Sequence, residues 1–266
     1  VDRRQAAGYV PQDLPLVGDG RLAIVDDRDV VGGAAGLECD HVGESLRHIA
    51  GDYRQMFTDL FARHAPQLQL EYFDVRNGEF PASTDACEAF VCTGSRFSAY
   101  APDDWIQELK NFLRQLRDAD KPFVGICFGH QMMAEALGGK VEKASQGWGI
   151  GVHSLNIVKT AKAESWMQPE QSSCGVQYTH ADQVVRLPEN SVVLGESEHC
   201  PVAMFRVGEK MLGIQGHPEF PAAYAEALVR GRTELIGAEK VNAAKFNAPT
   251  DEAVITNWMA KFLIDG

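Results

Sequence analysis

Short apolar runs alternate with amphipathic segments along the first half of the chain, a pattern typical of layered α/β domains. The predicted strands of this half are residues 22–26, 68–74, 89–92 and 123–126. Apolar side chains at helical spacing predict helices between and after them, at residues 52–64, 105–117 and 131–137. Because strands separated by helices usually pair in parallel, this half predicts a parallel sheet.

The pattern changes near residue 149, where strand-like segments follow one another with only turns between them. These segments are residues 152–158, 184–186, 192–196, 202–206 and 211–216, and they predict antiparallel strands added to the same sheet. Closing helices are predicted at 220–235 and 253–263. We expect an N-terminal lead-in at residues 1–21 and a single domain at 22–266.

Composition narrows the classes of partner. The chain is 45% hydrophobic and 23% charged, as expected for a soluble globular protein, and its net charge of −12 argues against nucleic acid or anionic membrane as a partner. No apolar run approaches the roughly 18 residues of a membrane span. None of the six cysteines forms a C-x-x-C pair. We therefore expect free thiols, a cytoplasmic location, and neither a metal nor a cofactor.

The strongest local signal is Gly125-Ile-Cys127-Phe-Gly129, which follows a predicted strand and precedes a predicted helix. It has the G-x-nucleophile-x-G form of a nucleophile elbow, with cysteine in place of serine. The flanking glycines permit a tight turn, and the helix N-terminus favours a thiolate. The alternative is a buried core cysteine between two packing glycines.

A cysteine nucleophile needs a base, and His217 is the best placed histidine. It follows a predicted strand, and Glu219 lies two residues on, where it can orient the imidazole. The alternatives are a turn histidine and a carboxylate at a helix N-terminus. Thr93-Gly94-Ser95 ends another strand, so the Gly94 and Phe128 amides are candidates for an oxyanion hole.

Together, the segments 125–131 and 213–219 closely resemble the class I glutamine amidotransferase family. More narrowly, they are similar to its stand-alone members related to the glutaminase half of GMP synthase. Further matches lie at residues 94–100, 147–149 and 180–182. The expected fold is a flavodoxin-like three-layer α/β sandwich, with a mostly parallel central sheet and added antiparallel strands.

The resemblance implies Cys127, His217 and Glu219 as a catalytic triad and the Gly94 and Phe128 amides as the oxyanion hole. It also implies that the glutamyl group is held by Gln131 and by residues Thr179, His180 and Ala181. His180 and Asp182 are as readily explained by loop architecture. The implied reaction is hydrolysis of a γ-glutamyl amide bond through a Cys127 thioester, with glutamine or a γ-glutamyl amide or peptide as the small-molecule substrate.

Three functions stay open at this point. The favoured one is a stand-alone γ-glutamyl hydrolase or peptidase. The others are a glutaminase subunit delivering ammonia to a separate synthase, and a non-catalytic binding protein with the same fold. The sequence has no G-x-x-x-x-G-K-[ST] phosphate-binding motif, so ammonia transfer would need a synthase partner in trans.

Two features depart from the family pattern. Arg96 stands where the family often has proline after Gly-Ser, and we expect it to lie in solvent rather than contact a substrate carboxylate. Residues 30–46 are glycine-rich and resemble an insertion that lines the pocket mouth or a partner surface.

Overall fold

A computed structural model describes residues 33–265 except 160, 162 and 163. The predicted lead-in at 1–21, the predicted strand at 22–26 and the predicted domain boundary at residue 22 lie outside the described residues. They stay predictions.

A nine-stranded sheet runs through the described residues. Its strands are β1 (Ala34–Leu37), β2 (Leu70–Phe73), β3 (Ala89–Cys92), β4 (Phe123–Ile126), β6 (Gly149–Ile157), β7 (Ser173–His180), β9 (Ser191–Glu196), β10 (Met204–Val207) and β11 (Met211–Ile214). A separate two-stranded sheet pairs β5 (Lys140–Lys143) with β8 (Asp182–Arg186).

The strand order in the large sheet is β2-β1-β3-β4-β11-β10-β9-β6-β7. The pairs from β2 through to β11 are parallel, and the pairs from β11 to β7 are antiparallel. All strands except β10 and β6 therefore point in the same direction. The mostly parallel sheet with added antiparallel strands is confirmed. Two of the strands predicted as antiparallel additions differ: β8, predicted at 184–186, pairs with β5 outside the large sheet, and β11, predicted at 211–216, joins the parallel part beside β4.

The helices are α1 (Glu44–Ala50), α2 (Tyr53–His64), α3 (Asp104–Asp118), α4 (Phe128–Ala136), α5 (Ala222–Arg230), α6 (Thr233–Ile236), α7 (Ala238–Ala243) and α8 (Glu252–Asp265). One face of the sheet packs against apolar side chains of α2 and α8, and the other against those of α3 and α4. This gives the predicted flavodoxin-like three-layer sandwich. No helix in the described part of the chain has the length and apolar character to cross a membrane.

The interpretation of residues 30–46 as an insertion is wrong for the described part. Ala34–Leu37 is a fully buried strand between β2 and β3. Three of its four residues are small, and at Gly36 the neighbouring strand lies close: a Cβ there would come within 2.6 Å of the Tyr72 ring. Because Leu37 is its only large apolar residue, the hydrophobic pattern of the sequence did not predict this strand.

Two glycines set how closely the helix after Cys127 packs against β4 and its neighbour β3. A Cβ on Gly125 would lie 2.4 Å from the carbonyl carbon of Gly129, and a Cβ on Gly129 would lie 2.6 Å from the Cys92 oxygen. The opposing atoms are backbone atoms, which cannot rotate away. Only glycine at both positions lets α4 start directly after Cys127, three residues earlier than the predicted start at 131.

Gly125→Ala should therefore destabilise the fold by about 3 kcal/mol, at the upper end of the range for overpacking, because strand and helix must separate. Urea unfolding of the purified variant measures this loss. Gly43→Ala is the control, since a Cβ at Gly43 meets no atom within 4 Å, and its effect should stay within about 0.5 kcal/mol. Equal stabilities of the two variants would contradict this account of the elbow.

Candidate active site

Cys127 occupies the turn between β4 and α4 in a strained conformation. Its φ of 50° lies in the left-handed region that non-glycine residues rarely adopt. The Cys127 N–H donates to Ile214 O of the neighbouring β11 at 2.8 Å, which fixes the turn against that strand. The residue is only 6% exposed. The turn therefore holds the thiol at the carboxyl edge of the sheet, next to the end of β11.

His217 and Glu219 follow β11, so the parallel sheet brings them to the same edge as Cys127. His217 Nδ1 donates to Glu219 Oε1 at 2.7 Å, and both residues are buried. The imidazole lies within hydrogen-bonding and Coulombic range of Cys127. Glu219 Oε2 is buried without a partner among the described residues. The three predicted triad residues therefore lie together in the order thiol, imidazole, carboxylate.

The electrostatics distinguish His217 from other buried histidines. Burial alone would lower the pKa of His217, but the charges of Cys127 and Glu219 and hydrogen bonds to both raise it to about 10. By contrast, burial lowers the pKa of His130 to about 4 and that of His180 to about 3. At neutral pH His217 is thus favoured as an imidazolium, and the other two rings are neutral.

The two residues predicted to supply oxyanion donors, Gly94 and Phe128, lie close to Cys127. A Cβ on Gly94 would lie 2.9 Å from His217 Cε1 and 3.8 Å from Cys127 Cβ, so this glycine packs directly against the site. The Phe128 N–H lies in the first turn of α4, where helical N–H groups lack intrahelical acceptors. Gly94 and Phe128 therefore both lie next to Cys127, and the role of their amides as oxyanion donors stays a prediction.

Asp40, which the sequence analysis missed, anchors the loop after β3. Asp40 is 1% exposed. Its carboxylate accepts hydrogen bonds from the Arg96 N–H at 3.0 Å, Arg96 Nε at 2.7 Å and Arg76 Nη1 at 2.7 Å. Arg96 Nη2 also donates to His41 O. The prediction that Arg96 simply lies in solvent is wrong: although half-exposed, its guanidinium ties the loop to the end of β1.

Asp182 anchors the same loop further along. Ser98 Oγ donates to Asp182 Oδ2 at 2.6 Å, and the Tyr100 hydroxyl lies 3.4 Å from Asp182 Oδ1. The loop is therefore held by one aspartate from the end of β1 and another from the start of β8. For Asp182, these contacts agree with the loop-architecture interpretation.

The predicted glutamyl-binding residues line the neighbouring edge. Gln131 Nε2 donates to Asp182 O at 2.8 Å and to Gln215 Oε1 at 3.1 Å, so its amide nitrogen joins α4 to the segments after β7 and β11. Thr179 and His180 end β7, and Ala181 follows them. The structure brings this end of β7 next to His217, whose N–H donates to Gln177 O at 2.8 Å.

One ring nitrogen of His180 lacks a hydrogen-bond partner among the described residues and lies against Gly149. Nδ1 is bonded to Asp182 O at 2.9 Å, while Nε2 is buried and has no partner among the described residues. The charge of His217 is one of the minor causes that lower the His180 pKa, so the two rings lie near each other. A contact of Nε2 with substrate stays a prediction.

One group of metal-type ligands occurs in the described part of the chain, formed by Glu38, His41 and Asp74. Glu38 is engaged by Arg54 through bonds of 2.5 to 3.3 Å, and His41 Nε2 lies 2.8 Å from Asp74 Oδ2. Each of the three side chains therefore already has a polar partner among the described residues, and the group is explained as part of a polar network with Arg54.

A surface groove of about 610 Å³ lies between α1, α2 and the turn after His217. Glu219 and Pro221 line it, whereas Cys127 and His217 do not. The groove is therefore a separate feature behind the carboxylate of the triad, and we do not assign the reacting bond to it.

The chain is similar in sequence to gamma-glutamyl peptidases and to GMP synthases. The chain is 37% identical to gamma-glutamyl peptidase 5 of Arabidopsis thaliana over 174 residues, which cover 64% of this chain and 68% of that protein. It is 26% identical to a glutamine-hydrolyzing GMP synthase of Porphyromonas gingivalis over 77% of this chain but only 44% of that protein.

A solved structure has the same fold as this chain. A crystal structure of a glutamine amidotransferase from Thermotoga maritima superposes with a TM-score of 0.67 at 21% identity, covering 87% of this chain and 96% of that one. The family model for glutamine amidotransferase class-I matches residues 92–227, just over half of the 266 residues. This segment contains Cys127, His217 and Glu219, and the chain belongs to the class I glutamine amidotransferase family.

Proposed function

We propose that this protein hydrolyses γ-glutamyl amide bonds through a thioester on Cys127, acting as a γ-glutamyl peptidase without a partner. The observation that carries the proposal is the buried chain of Cys127, His217 and Glu219, in which two acidic groups favour a protonated imidazole. An imidazolium beside a thiol supports a thiolate nucleophile at neutral pH.

In the first step, the Cys127 sulfur attacks the γ-carbonyl carbon and forms a C–S bond, while the carbonyl π electrons move to oxygen. The Gly94 and Phe128 N–H groups would donate to that oxyanion. His217 then gives its proton to the departing nitrogen as the C–N bond breaks. The products are a free amine and a γ-glutamyl thioester.

In the second step, water replaces the amine. Neutral His217 accepts a proton from the water as the water oxygen attacks the thioester carbon. The same two amides hold the second oxyanion. Collapse expels the thiolate and releases glutamate, which restores the thiolate–imidazolium pair. Glu219 keeps the imidazole in one orientation and stabilises its charged form in both steps.

The leaving group is inferred from the relatives. Similarity to a γ-glutamyl peptidase is higher, at 37% identity, and extends over more of that protein's length than the similarity to the GMP synthase. We therefore favour an amino acid or peptide amine over ammonia. The second candidate is a glutaminase that supplies ammonia to a synthase, and the GMP synthase similarity is the observation that favours it.

The test is glutamate release by the purified protein from a γ-glutamyl peptide such as glutathione, from glutamine, and from an α-glutamyl dipeptide. We expect release from the γ-glutamyl peptide, little from glutamine and none from the α-linked control. Release from glutamine alone would replace the peptidase by the glutaminase. Release from the α-linked dipeptide at the same rate would refute γ-glutamyl specificity.

Cys127→Ala should abolish this release while leaving the fold intact, because one small side chain replaces another. Cys87→Ala is a matched control, since Cys87 and Cys127 are both 6% exposed, and it should retain wild-type activity. Circular dichroism checks that both variants fold. More than trace activity in the Cys127 variant would remove this residue from the nucleophile's role.

Glu219→Gln should lower kcat/KM by about 100- to 10,000-fold, less than His217→Ala, because the base stays but its anionic partner is lost. The anionic groups hold the His217 pKa above its ordinary value. Activity that depends on this imidazolium should therefore be lost at a lower pH in the variant than in the wild type. The pH dependence of kcat/KM measures both effects.

Glu38→Gln is the control for that experiment, because Glu38 is also a buried carboxylate but pairs with Arg54 instead of His217. It should leave the alkaline limb unchanged. An unchanged alkaline limb in Glu219→Gln would show that Glu219 does not support the charge of His217.

Asp40→Asn should lower kcat by about 10- to 100-fold with a smaller change in KM, because an oxyanion donor that moves by a fraction of an ångström is felt mainly in the transition state. The neutral amide cannot hold both arginines as the carboxylate does. Asp251→Asn, which alters a carboxylate bound to the Gly175 N–H, controls for general destabilisation. A KM effect without a kcat effect would contradict the anchoring role.

A further inference from the structure

The His217 ring is stacked on a column of aromatic side chains that have no role in the two chemical steps described above. The Phe220 ring lies parallel to the imidazole, with centroids 3.9 Å apart and planes inclined by 8°. Tyr53 of α2 stacks on Phe220 at 6.1 Å, and Tyr224 of α5 meets the Phe220 ring edge-on at 4.8 Å. All three aromatic residues are buried, so the column is a rigid part of the core.

The imidazole is also bounded by the loop after β3. A Cβ on Gly94 would lie 2.9 Å from His217 Cε1, so backbone packs against this part of the ring. With Phe220 covering one face, the ring can turn little out of its plane. That plane is the one in which Nδ1 meets Glu219 Oε1 at 2.7 Å.

The stack discriminates between the two protonation states of His217. The face of a benzene ring carries partial negative charge, so it attracts a cation more than a neutral ring, and the attraction grows where water is excluded. Phe220 is 3% exposed and His217 is 3% exposed. A buried imidazolium lying on this face is therefore stabilised relative to neutral imidazole.

Other charged and titratable groups face the same ring. Cys127 and Glu219 act on it directly, and the neutral His180 ring lies across from it at the end of β7. Behind Phe220, the Tyr53 and Tyr224 hydroxyls are hydrogen-bonded to each other and lie near Asp40. The Phe220 ring separates this second group from the imidazole.

We propose that Phe220 is a positioning residue for the hydrolysis: its ring face fixes the plane of His217 and stabilises the imidazolium partner of the Cys127 thiolate. This inference rests on the proposed function, because it assigns a task within that site. It predicts that loss of the aromatic face alters the protonation behaviour of the pair, whereas loss of similar apolar volume nearby does not.

The test compares Phe220→Leu with Phe246→Leu. Phe246 belongs to the same apolar cluster and is also 3% exposed, so its variant controls for lost packing. The first readout is the pH dependence of Cys127 alkylation by iodoacetamide, followed by mass spectrometry of the Cys127 peptide. The second is the pH dependence of kcat/KM for the γ-glutamyl peptide.

In Phe220→Leu the thiolate should form less readily, and the imidazolium should lose its proton sooner. The midpoint of the alkylation profile should therefore move to a higher pH by about one unit. The midpoint of the alkaline limb of kcat/KM should move to a lower pH by about the same amount. Phe246→Leu should reproduce both wild-type profiles. Superimposable profiles for wild type and Phe220→Leu would overturn the proposal.

Phe220→Tyr keeps the ring face and tests the proposal even if the leucine variant fails to fold. Its two limbs should stay at the wild-type positions, and a shift equal to the one expected for leucine would show that the aromatic face is not the cause. The alkylation profile needs no substrate. An altered alkylation profile in an enzyme that releases no glutamate would therefore support the role of Phe220 while refuting the proposed function.

Discussion

The close packing of α4 against β4 and β3 is the constraint on which the rest of the site depends. Gly125 and Gly129 leave no room for a Cβ at either position, because each faces backbone atoms at 2.4 to 2.6 Å. This contact forces the chain to turn within one residue, and Cys127 takes the resulting strained conformation. The helix that begins at the next residue then supplies an amide beside the sulfur.

Parallel strands complete the arrangement because their carboxyl ends meet at one edge. The ends of β3, β4 and β11 deliver Gly94, Cys127 and His217 to neighbouring positions, although more than a hundred residues separate the first from the last. Asp40 and Asp182 fix the Gly94 loop from two other strands, and Phe220 with Glu219 fixes His217. The proposed chemistry thus depends on a few side chains whose own positions are set by buried polar or aromatic contacts.

The sequence predicted what is encoded by contiguous residues. The elbow around Cys127 and the His217-Pro-Glu219 turn each combine backbone and chemical requirements within a few positions, so both could be recognised locally, and most helices and strands followed from apolar periodicity. β1 was missed because only one of its four residues is a large apolar one. Its glycine, Gly36, is required by the nearby Tyr72 ring, a contact that only the folded sheet creates. The roles of Asp40 and Phe220 likewise arise from partners distant in sequence or from ring stacking, which no local pattern specifies.

The central claim is that a γ-glutamyl group is transferred to Cys127 and then to water. The most direct measurement is rapid acid quenching of the enzyme during turnover of a γ-glutamyl peptide, followed by mass spectrometry of its peptides. We expect a glutamyl thioester that is confined to the Cys127 peptide and absent from Cys127→Ala. It should form before glutamate is released in the steady state. Glutamate release without acylation of Cys127, or acylation of another residue, would contradict it.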